Sequence, residues 1–164
     1  MLKFEEGCSV AGQLFFIARR NGQIVEEYRE NNMIMTQGRV SVARLFAGLE
    51  GGAGKFIGVG SGDAEPNPEQ TGLSNQYLVQ ANKISFVNPQ VDNEIMSWVE
   101  SATPTPNVRF DFVIGQGDAN GLGIREFGLF SADGTMFARR VRSGGKPIEK
   151  DTDLTIEGYW IIRF

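Results

Sequence analysis

Carboxylates, lysine and tyrosine are the residue types that acid–base chemistry would have to use in this sequence, because it contains no histidine. Glu126 stands in an otherwise apolar segment, and Glu157 would supply the second carboxylate that a glycosidase needs. A carboxylate in such a segment more commonly pairs with a base or accepts hydrogen bonds from loop amides, and Arg125 or Arg139 would serve as that base. We therefore predict no catalytic residue, and a carboxylate-only glycosidase is the enzymatic alternative.

The lack of histidine and the single cysteine, Cys8, remove most other reaction centres. Ser–His–Asp and Cys–His mechanisms are excluded, as are histidine-ligated zinc and zinc sites built on several cysteines. A disulfide within the chain is excluded as well. We interpret Cys8 as a small hydrophobe in a protein that folds in a reducing cytoplasm.

Two loop features could bind ions or phosphates, but neither has the required spacing. In the segment from Gly58 to Asp63 the third glycine comes one residue early for a dinucleotide loop, and Pro66 and Pro68 prevent a helix from following. We interpret these glycines as a strand end entering a turn at positive φ. Loop carboxylates could hold Ca²⁺, but they do not match an EF-hand, so no metal or cofactor is predicted. They are Asp63, Glu65, Asp118, Asp133, Asp151 and Asp153.

The elements that must position these residues are mainly β-strands. Asn107–Gly115 and Leu154–Phe164 alternate apolar and polar residues with a period of two, which predicts strands with two unlike faces. The alternation places Trp160 in the core and turns Phe164 inward. Two hairpins are predicted across glycine-containing turns. They pair Gln13–Arg19 with Gln23–Arg29 across Asn21–Gly22, and Leu122–Phe130 with Thr135–Val141 across Asp133–Gly134.

One short helix is predicted between Gln37 and Gly48, with Thr36 as its cap and Gly48 or Gly51 at its end. Its apolar side consists of Val40, Ala43, Leu45, Phe46 and Ala47. Three further strands and a long polar loop follow the helix. They are a strand at Lys55–Gly60, the loop Ser61–Gly72, and a pair of strands, Leu78–Asn88 and Glu94–Ser101, around Pro89–Asn93. The fold class is therefore all-β, a β-sandwich or open barrel of about eight strands with one short α-helix.

Length and charge narrow the class of partner. The 164 residues suit one domain, and we assign residues 1–12 to an N-terminal arm and residues 13–164 to a single β-rich domain. The net charge of −4 argues against nucleic acid, and no apolar run is long enough for a membrane helix. Arg139, Arg140 and Arg142 are interpreted as a solvated strand edge that discourages strand addition.

A series of motifs in this order resembles small virion proteins of tailed bacteriophages, of the tail-fibre and baseplate type. The resemblance covers roughly residues 31 to 164, and the hairpin is its most specific part. The motifs are the lead Asn31–Leu49, the strand end Ile57-Gly-Val-Gly60, Thr71-Gly-Leu73, the hairpin Ile124-Arg-Glu-Phe-Gly-Leu-Phe130 with Asp133-Gly-Thr-Met-Phe-Ala-Arg139, and the closing strand.

The resemblance implies a non-enzymatic structural component of a phage tail, made in the host cytoplasm and located in the virion. It would assemble as a trimer or hexamer and contact other tail proteins. No cofactor, nucleic acid or membrane is implied. A receptor-binding tip module that contacts a host-surface glycan and a capsid decoration or head-completion protein are the alternatives.

Subunit contacts are expected where long polar or mixed segments are not held by the core alone. These are the arm Met1–Gly12 and the loop Ser61–Gly72, and Trp98 would add an interface if the strand face that it shares with Met96 is exposed. With Tyr77, Tyr159 and Trp160, Trp98 could instead form a sugar-stacking platform. The predicted partner-binding residues are Phe4, Asp63, Glu65, Pro66, Pro68 and Trp98.

Overall fold

The computed structural model describes residues 10–49, 52–142 and 145–164. Within these residues the protein is mostly β-structure, with twelve strands and one helix, α1, at Thr36–Phe46. The strands are β1 Ala11–Arg20, β2 Gln23–Ile34, β3 Gly54–Gly60, β4 Tyr77–Gln80, β5 Lys83–Asp92, β6 Ile95–Glu100, β7 Asn107–Ile114, β8 Gly123–Ile124, β9 Glu126–Ser131, β10 Met136–Val141, β11 Ile148–Glu149 and β12 Leu154–Arg163. The prediction of a mainly β chain with one short helix is confirmed.

Ten of these strands form one antiparallel sheet in the order β4-β3-β9-β10-β2-β1-β12-β7-β5-β6, and β8 pairs with β11 separately. The prediction of about eight strands is wrong for three reasons. The segment predicted as one strand, Leu78–Asn88, is divided between β4 and β5, and Leu122–Phe130 is divided between β8 and β9. The polar connection before β12 also contains the two-residue strand β11. The sheet is not a closed barrel.

The sheet curls, so that β3 and β9 pack over β1, β12 and β7 around one core. The rings of Phe16 on β1 and Phe127 on β9 stack with centroids 4.8 Å apart. The connection between β4 and β5 links the two ends of the sheet. The Ala81 amide donates to the Lys55 carbonyl on β3, and the Asn82 amide donates to the Asp111 carbonyl on β7. The predicted core residue Trp160 is fully buried.

Both predicted hairpins are confirmed. Asn21 and Gly22 have positive φ angles of 50° and 81°, as a two-residue type I′ turn between β1 and β2 requires. The hairpin β9–β10 turns at Ser131–Gly134, and Gly134 has a φ of 88°. At the N-terminal side, Ala11 and Gly12 belong to β1 and not to an arm.

The hairpin β5–β6 differs from the sequence prediction because Pro89 lies inside β5, opposite Trp98. This part of β5 pairs with β6 only, so half of its N–H groups take no part in the sheet and a proline is tolerated. The turn instead falls at Asn93 and Glu94, whose φ angles are 47° and 65°.

The structure also corrects the predicted positions of the arginine cluster and of Phe164. β10 lies between β9 and β2, so the cluster Arg139, Arg140 and Arg142 does not lie on a free sheet edge. Phe164 was expected to face inward, but it follows the last residue of β12 and is 47% exposed.

Candidate functional site

A buried ion pair between Glu126 on β9 and Arg139 on β10 is the most polar feature of the interior. Their side chains are 1% and 2% exposed, and the Arg139 Nη2 and Nε atoms lie 2.7 and 2.9 Å from Glu126 Oε2. The two strands are neighbours in the sheet, which places the two side chains beside each other. The expectation that Glu126 pairs with a base is confirmed, with Arg139 as the base.

The same ion pair anchors the loop Ser61–Gly72. Glu126 Oε1 accepts hydrogen bonds from the backbone amides of Gly62, at 3.0 Å, and Ser74, at 2.7 Å. From the other side, Arg139 Nη1 donates to Gln70 Oε1 at 2.7 Å and to the Ala64 carbonyl at 3.2 Å. Two buried side chains therefore hold this loop at both of its ends. The sequence analysis expected that the core alone would not hold it.

These hydrogen bonds occupy the Glu126 carboxylate that a glycosidase would use. Both of its oxygens accept two hydrogen bonds each, and the side chain is removed from water. Glu157, the predicted second carboxylate, is exposed and pairs with Arg19. The geometry gives Glu126 an anchoring role in this fold.

The glycines near Glu126 are needed for space and not for positive φ. A Cβ atom added to Gly62 would lie 2.6 Å from Glu126 Oε1, and one added to Gly60 would lie 2.5 Å from it. Positive φ was the expected reason, but neither residue is among the glycines with that conformation. The reason for glycine is instead that the backbone passes so close to a buried carboxylate that no side chain fits.

The predicted partner-binding residues fall in different places. Asp63, Glu65, Pro66 and Pro68 lie together on the exposed side of the anchored loop. The first three line a groove of about 520 Å³ with Arg125, Arg140 and Arg142 on its other wall. Phe4 lies outside the described residues, as does Cys8.

Trp98 is buried at the base of the β5–β6 hairpin, with 8% of its surface exposed. It packs with Val87 against Ile161, on the sheet face opposite the main core. The guanidinium of Arg163 lies 5.6 Å from the centre of its ring. Trp98 therefore holds the hairpin to β12 and presents no open ring face.

The helix α1 buries its small residues and exposes most of its apolar side chains. It packs on β10 through Gly38 and Ser41, its two buried residues, and a Cβ on Gly38 would lie 2.6 Å from the Phe137 carbonyl oxygen. Phe46 is 95% exposed. We call the exposed apolar residues of this segment the helix surface: Val40, Leu45, Phe46 and Leu49. Met35 occupies the cap position without a side-chain bond, and Thr36 is the first helical residue, so the predicted cap is wrong by one residue.

Beyond Phe86, the hairpin β5–β6 leaves the sheet and its strands pair only with each other. Its distal residues Val91 and Ile95 are 69% and 71% exposed. By the alternation of side chains, one face of this hairpin carries exposed apolar residues that we call the arm stripe. These residues are Ile84, Phe86, Ile95 and Val99.

An apolar groove of about 290 Å³ separates the helix surface from the arm stripe. Leu45 of the helix and Ile84 of the stripe line its two sides, and Phe110 and Ile162 of the core line its floor. Leu45, Ile84 and the groove between them therefore form an exposed apolar area. Monomeric proteins rarely expose such a region unless it contacts a partner.

The helix and the turn of the arm carry opposite charges. The helix α1 carries Arg39 and Arg44 and no carboxylate. The turn of the arm carries Asp92 and Glu94 within two positions of each other, next to Ile95. The helix side is therefore basic, and the tip of the arm is acidic.

Lys150 is a second buried charge, which lies between β11 and β12. Its Nζ atom donates to Asn120 Oδ1 at 2.9 Å and to the Asp151 carbonyl at 3.0 Å. Burial lowers the pKa of Lys150 below its ordinary value of 10.5. The hydrogen bonds tie the loop before β8 to the start of β12.

Within the residues that the structure describes, no three His, Cys, Asp or Glu side chains are grouped as metal ligands would be. Over the same ranges, no helix has the length and hydropathy that crossing a membrane requires. Comparisons with protein-family models, with curated proteins and with solved structures find no match to this chain. The function is therefore argued from the geometry.

The sequence did not predict the exposed apolar residues of α1 or the projecting hairpin β5–β6. The sequence predicts one apolar side for α1, and a surface helix usually buries such a side, but the structure exposes most of these residues. The signal that could have corrected this is Gly38 with Ser41, a pair of small residues on one side of the helix. The arm was missed because Pro89 favoured a turn where the strand continues.

Proposed function

We propose that this chain is a non-enzymatic structural protein of a bacteriophage tail, of the baseplate or fibre-attachment type, which acts through contacts between subunits. The observation that carries the proposal is the amount of exposed apolar surface around the groove, along the hairpin β5–β6 and at Phe46 of α1. A subunit of an assembly needs such a region, because apolar burial is the main favourable term in most protein association. The motif series around the β9–β10 hairpin supports the assignment to a phage tail.

For the finer architecture, we propose an open barrel with the segment β4–β5 shared between the two ends of the curled sheet. The hydrogen bonds of Ala81 and Asn82 to opposite ends of the sheet support this description. A barrel-like body leaves few free edges.

The buried polar centre supports a structural role. Glu126 and Arg139 form bonds with each other and with one loop, which fixes the exposed residues Asp63, Glu65 and Pro66 on a rigid base. A fixed loop of this kind suits a contact with a neighbouring tail protein, because little conformational entropy is lost when it binds. Trp98 is buried and supplies no exposed ring for the alternative of a glycan-binding tip, whereas Tyr77 is 38% exposed.

The state of association of the purified protein tests the proposal. Light scattering after size-exclusion chromatography and cryo-electron microscopy should show a cyclic assembly, with a trimer or hexamer as the expected copy number. Mass spectrometry of purified virions that encode this chain should detect it among the tail proteins. A protein that stays monomeric at micromolar concentration and is missing from the virions would contradict the proposal.

A further inference from the structure

A small polar pocket lies where the projecting hairpin β5–β6 meets the ends of β1, β2 and β12. We call it the hairpin pocket, and its volume is about 220 Å³. Trp98 and Met96 line it from β6, and Gln13, Asn31 and Arg163 line it from the other three strands. The pocket is separate from the apolar groove and from the groove beside the anchored loop.

Two residues of the hairpin pocket carry buried polar atoms that have no hydrogen-bond partner within the described part of the chain. They are Nε1 of Trp98, which can only donate, and Oε1 of Gln13, which can only accept. Trp98 is 8% exposed, so bulk water does not supply the missing bond. Because buried polar groups are nearly always satisfied, two such atoms at one pocket call for an occupant that is both an acceptor and a donor.

Arg163 adds a positive charge to the same pocket. Its guanidinium lies 5.6 Å from the centre of the Trp98 ring, and its side chain forms no ion pair or hydrogen bond with residues that the structure describes. Among those residues, no aspartate or glutamate lines the pocket. An ammonium group would therefore meet no counter-charge there, whereas a carboxylate matches the donors of a guanidinium.

We propose that the hairpin pocket binds a small carboxylate that also carries hydroxyl groups, which is the chemistry of a sugar acid such as a uronic acid. The carboxylate accepts hydrogen bonds from Arg163 and from the Trp98 indole, and a neutral hydroxyl donates to Gln13 Oε1. The pocket is smaller than the roughly 300–1,000 Å³ of pockets for drug-sized ligands, so it suits a single sugar unit. This inference goes beyond the proposed function and does not depend on it.

The remaining walls suit the carbon skeleton of such a ligand. Met96 and the indole of Trp98 are apolar surfaces against which C–H groups can pack. The polar contact uses the indole N–H at the edge of the Trp98 ring. It therefore does not need the open ring face that a sugar-stacking platform requires.

Nuclear magnetic resonance of the ¹⁵N-labelled protein tests the site through the indole N–H signals of its two tryptophans. Sodium D-glucuronate should shift the Trp98 signal in a saturable manner. The Trp160 signal should move much less, because that residue is fully buried and its Nε1 already donates to Asn32 Oδ1 at 2.8 Å.

Two matched compounds separate the parts of the ligand. D-Glucose lacks the carboxylate, and acetate lacks the hydroxyl groups, so each should bind at least about tenfold more weakly than D-glucuronate. An oligosaccharide that ends in glucuronate distinguishes the end of an acidic polysaccharide from a free sugar acid. Tighter binding of the oligosaccharide supports the first source, and tighter binding of the monomer supports the second.

Variants of the pocket test the assigned contacts. Arg163→Gln should weaken glucuronate binding at least about tenfold, because it removes the charged donor. Gln13→Glu should abolish binding, since its carboxylate repels that of the ligand. Arg29→Gln is the matched control and should bind as the wild type does, because Arg29 also lies over an aromatic ring, 4.6 Å from the centre of Phe15, but does not line the pocket. Thermal unfolding confirms that each variant is folded.

Three results would overturn the inference. The first is a Trp98 signal that glucuronate leaves unchanged at its highest soluble concentration, as expected of a pocket that holds only water. The second is equal binding of glucose and glucuronate, and the third is undiminished binding by folded Arg163→Gln. None of these results bears on assembly, so the proposed structural role stands or fails by its own experiments.

Discussion

Replacing Glu126 with glutamine tests whether the buried ion pair anchors the loop as the geometry indicates. Glutamine has nearly the same shape, and its carbonyl oxygen could still accept from the Gly62 and Ser74 amides. Its amide nitrogen would then face the Arg139 guanidinium, where two donors meet without an acceptor. Arg139, whose side chain is 2% exposed, would keep its charge without a counter-charge.

The expected loss of stability follows from these contacts. Removing one partner of a buried ion pair typically lowers the free energy of unfolding by about 3–5 kcal/mol. The melting temperature of a domain of this size should fall by roughly 6–20 °C, at about 2–4 °C per kcal/mol. The exposed pair Arg20–Asp153, at 2.6 Å, provides a matched control. There, Asp153→Asn should cost about 0–1 kcal/mol, because water screens the charges.

Urea unfolding followed by circular dichroism measures both variants on the same scale. A second variant, which combines Glu126→Gln with Arg139→Met, also removes the Arg139 charge that lacks a counter-charge in the single variant. It should show a coupling energy of at least about 1 kcal/mol relative to the sum of the single changes. The reasoning is refuted if Glu126→Gln costs no more than Asp153→Asn, or if the double variant is simply additive.

Three further predictions concern space, pH and surface. Gly62→Ala should destabilise the protein by about 1–3 kcal/mol, because its Cβ would lie 2.6 Å from Glu126 Oε1, while Gly117→Ala has open space and should change little in the same urea assay. The free energy of unfolding of the wild-type protein, minus that of Lys150→Met, should rise as the pH increases from about 7 toward 10.5. The reason is that burial lowers the pKa of Lys150, so the folded protein releases this proton at a lower pH than the unfolded chain. A difference that does not change over this pH range would contradict the prediction. Phe46→Ser should change the free energy of unfolding by less than about 0.5 kcal/mol in dilute monomer, and a larger loss would show that Phe46 packs within its own chain.

The anchored loop changes how the exposed loop residues can act. Asp63, Glu65 and Pro66 belong to a segment whose amides and side chains are tied to Glu126 and Arg139. A partner that meets these residues would find them already ordered. If the loop contacts a partner as proposed, it would therefore bind as a preformed segment and would not have to fold on binding.

Local sequence patterns predicted the elements whose form depends on neighbours along the chain. The turn Asn21–Gly22 requires positive φ at two successive residues, and that chemistry alone defines the first hairpin. The alternation in β7 and β12 likewise assigned Trp160 to the core, because a strand places every second side chain on the same face. The pairing of Glu126 with a base followed from the high cost of an unpaired charge among apolar residues.

The number and pairing of the strands depended on contacts between distant segments. Pro89 is compatible with β5 only because that part of the strand has one neighbour, which no local pattern reveals. The loop Ser61–Gly72 has the composition of a mobile segment. It is held in place by Arg139, which lies 69 residues beyond Gln70 in the chain.

The sequence by itself determined that this protein is a β-framework with one short helix, two glycine-turn hairpins and a buried carboxylate that needs a base. Only the tertiary structure decided which side of α1 faces the core. The physical reason is that a helix packs where the backbones approach most closely, and the small residue Gly38 allows that approach on its own side of α1 while Phe46 is left exposed. Periodicity reports that a helix has an apolar side, but whether its own sheet or another chain covers that side depends on how the layers are arranged in space.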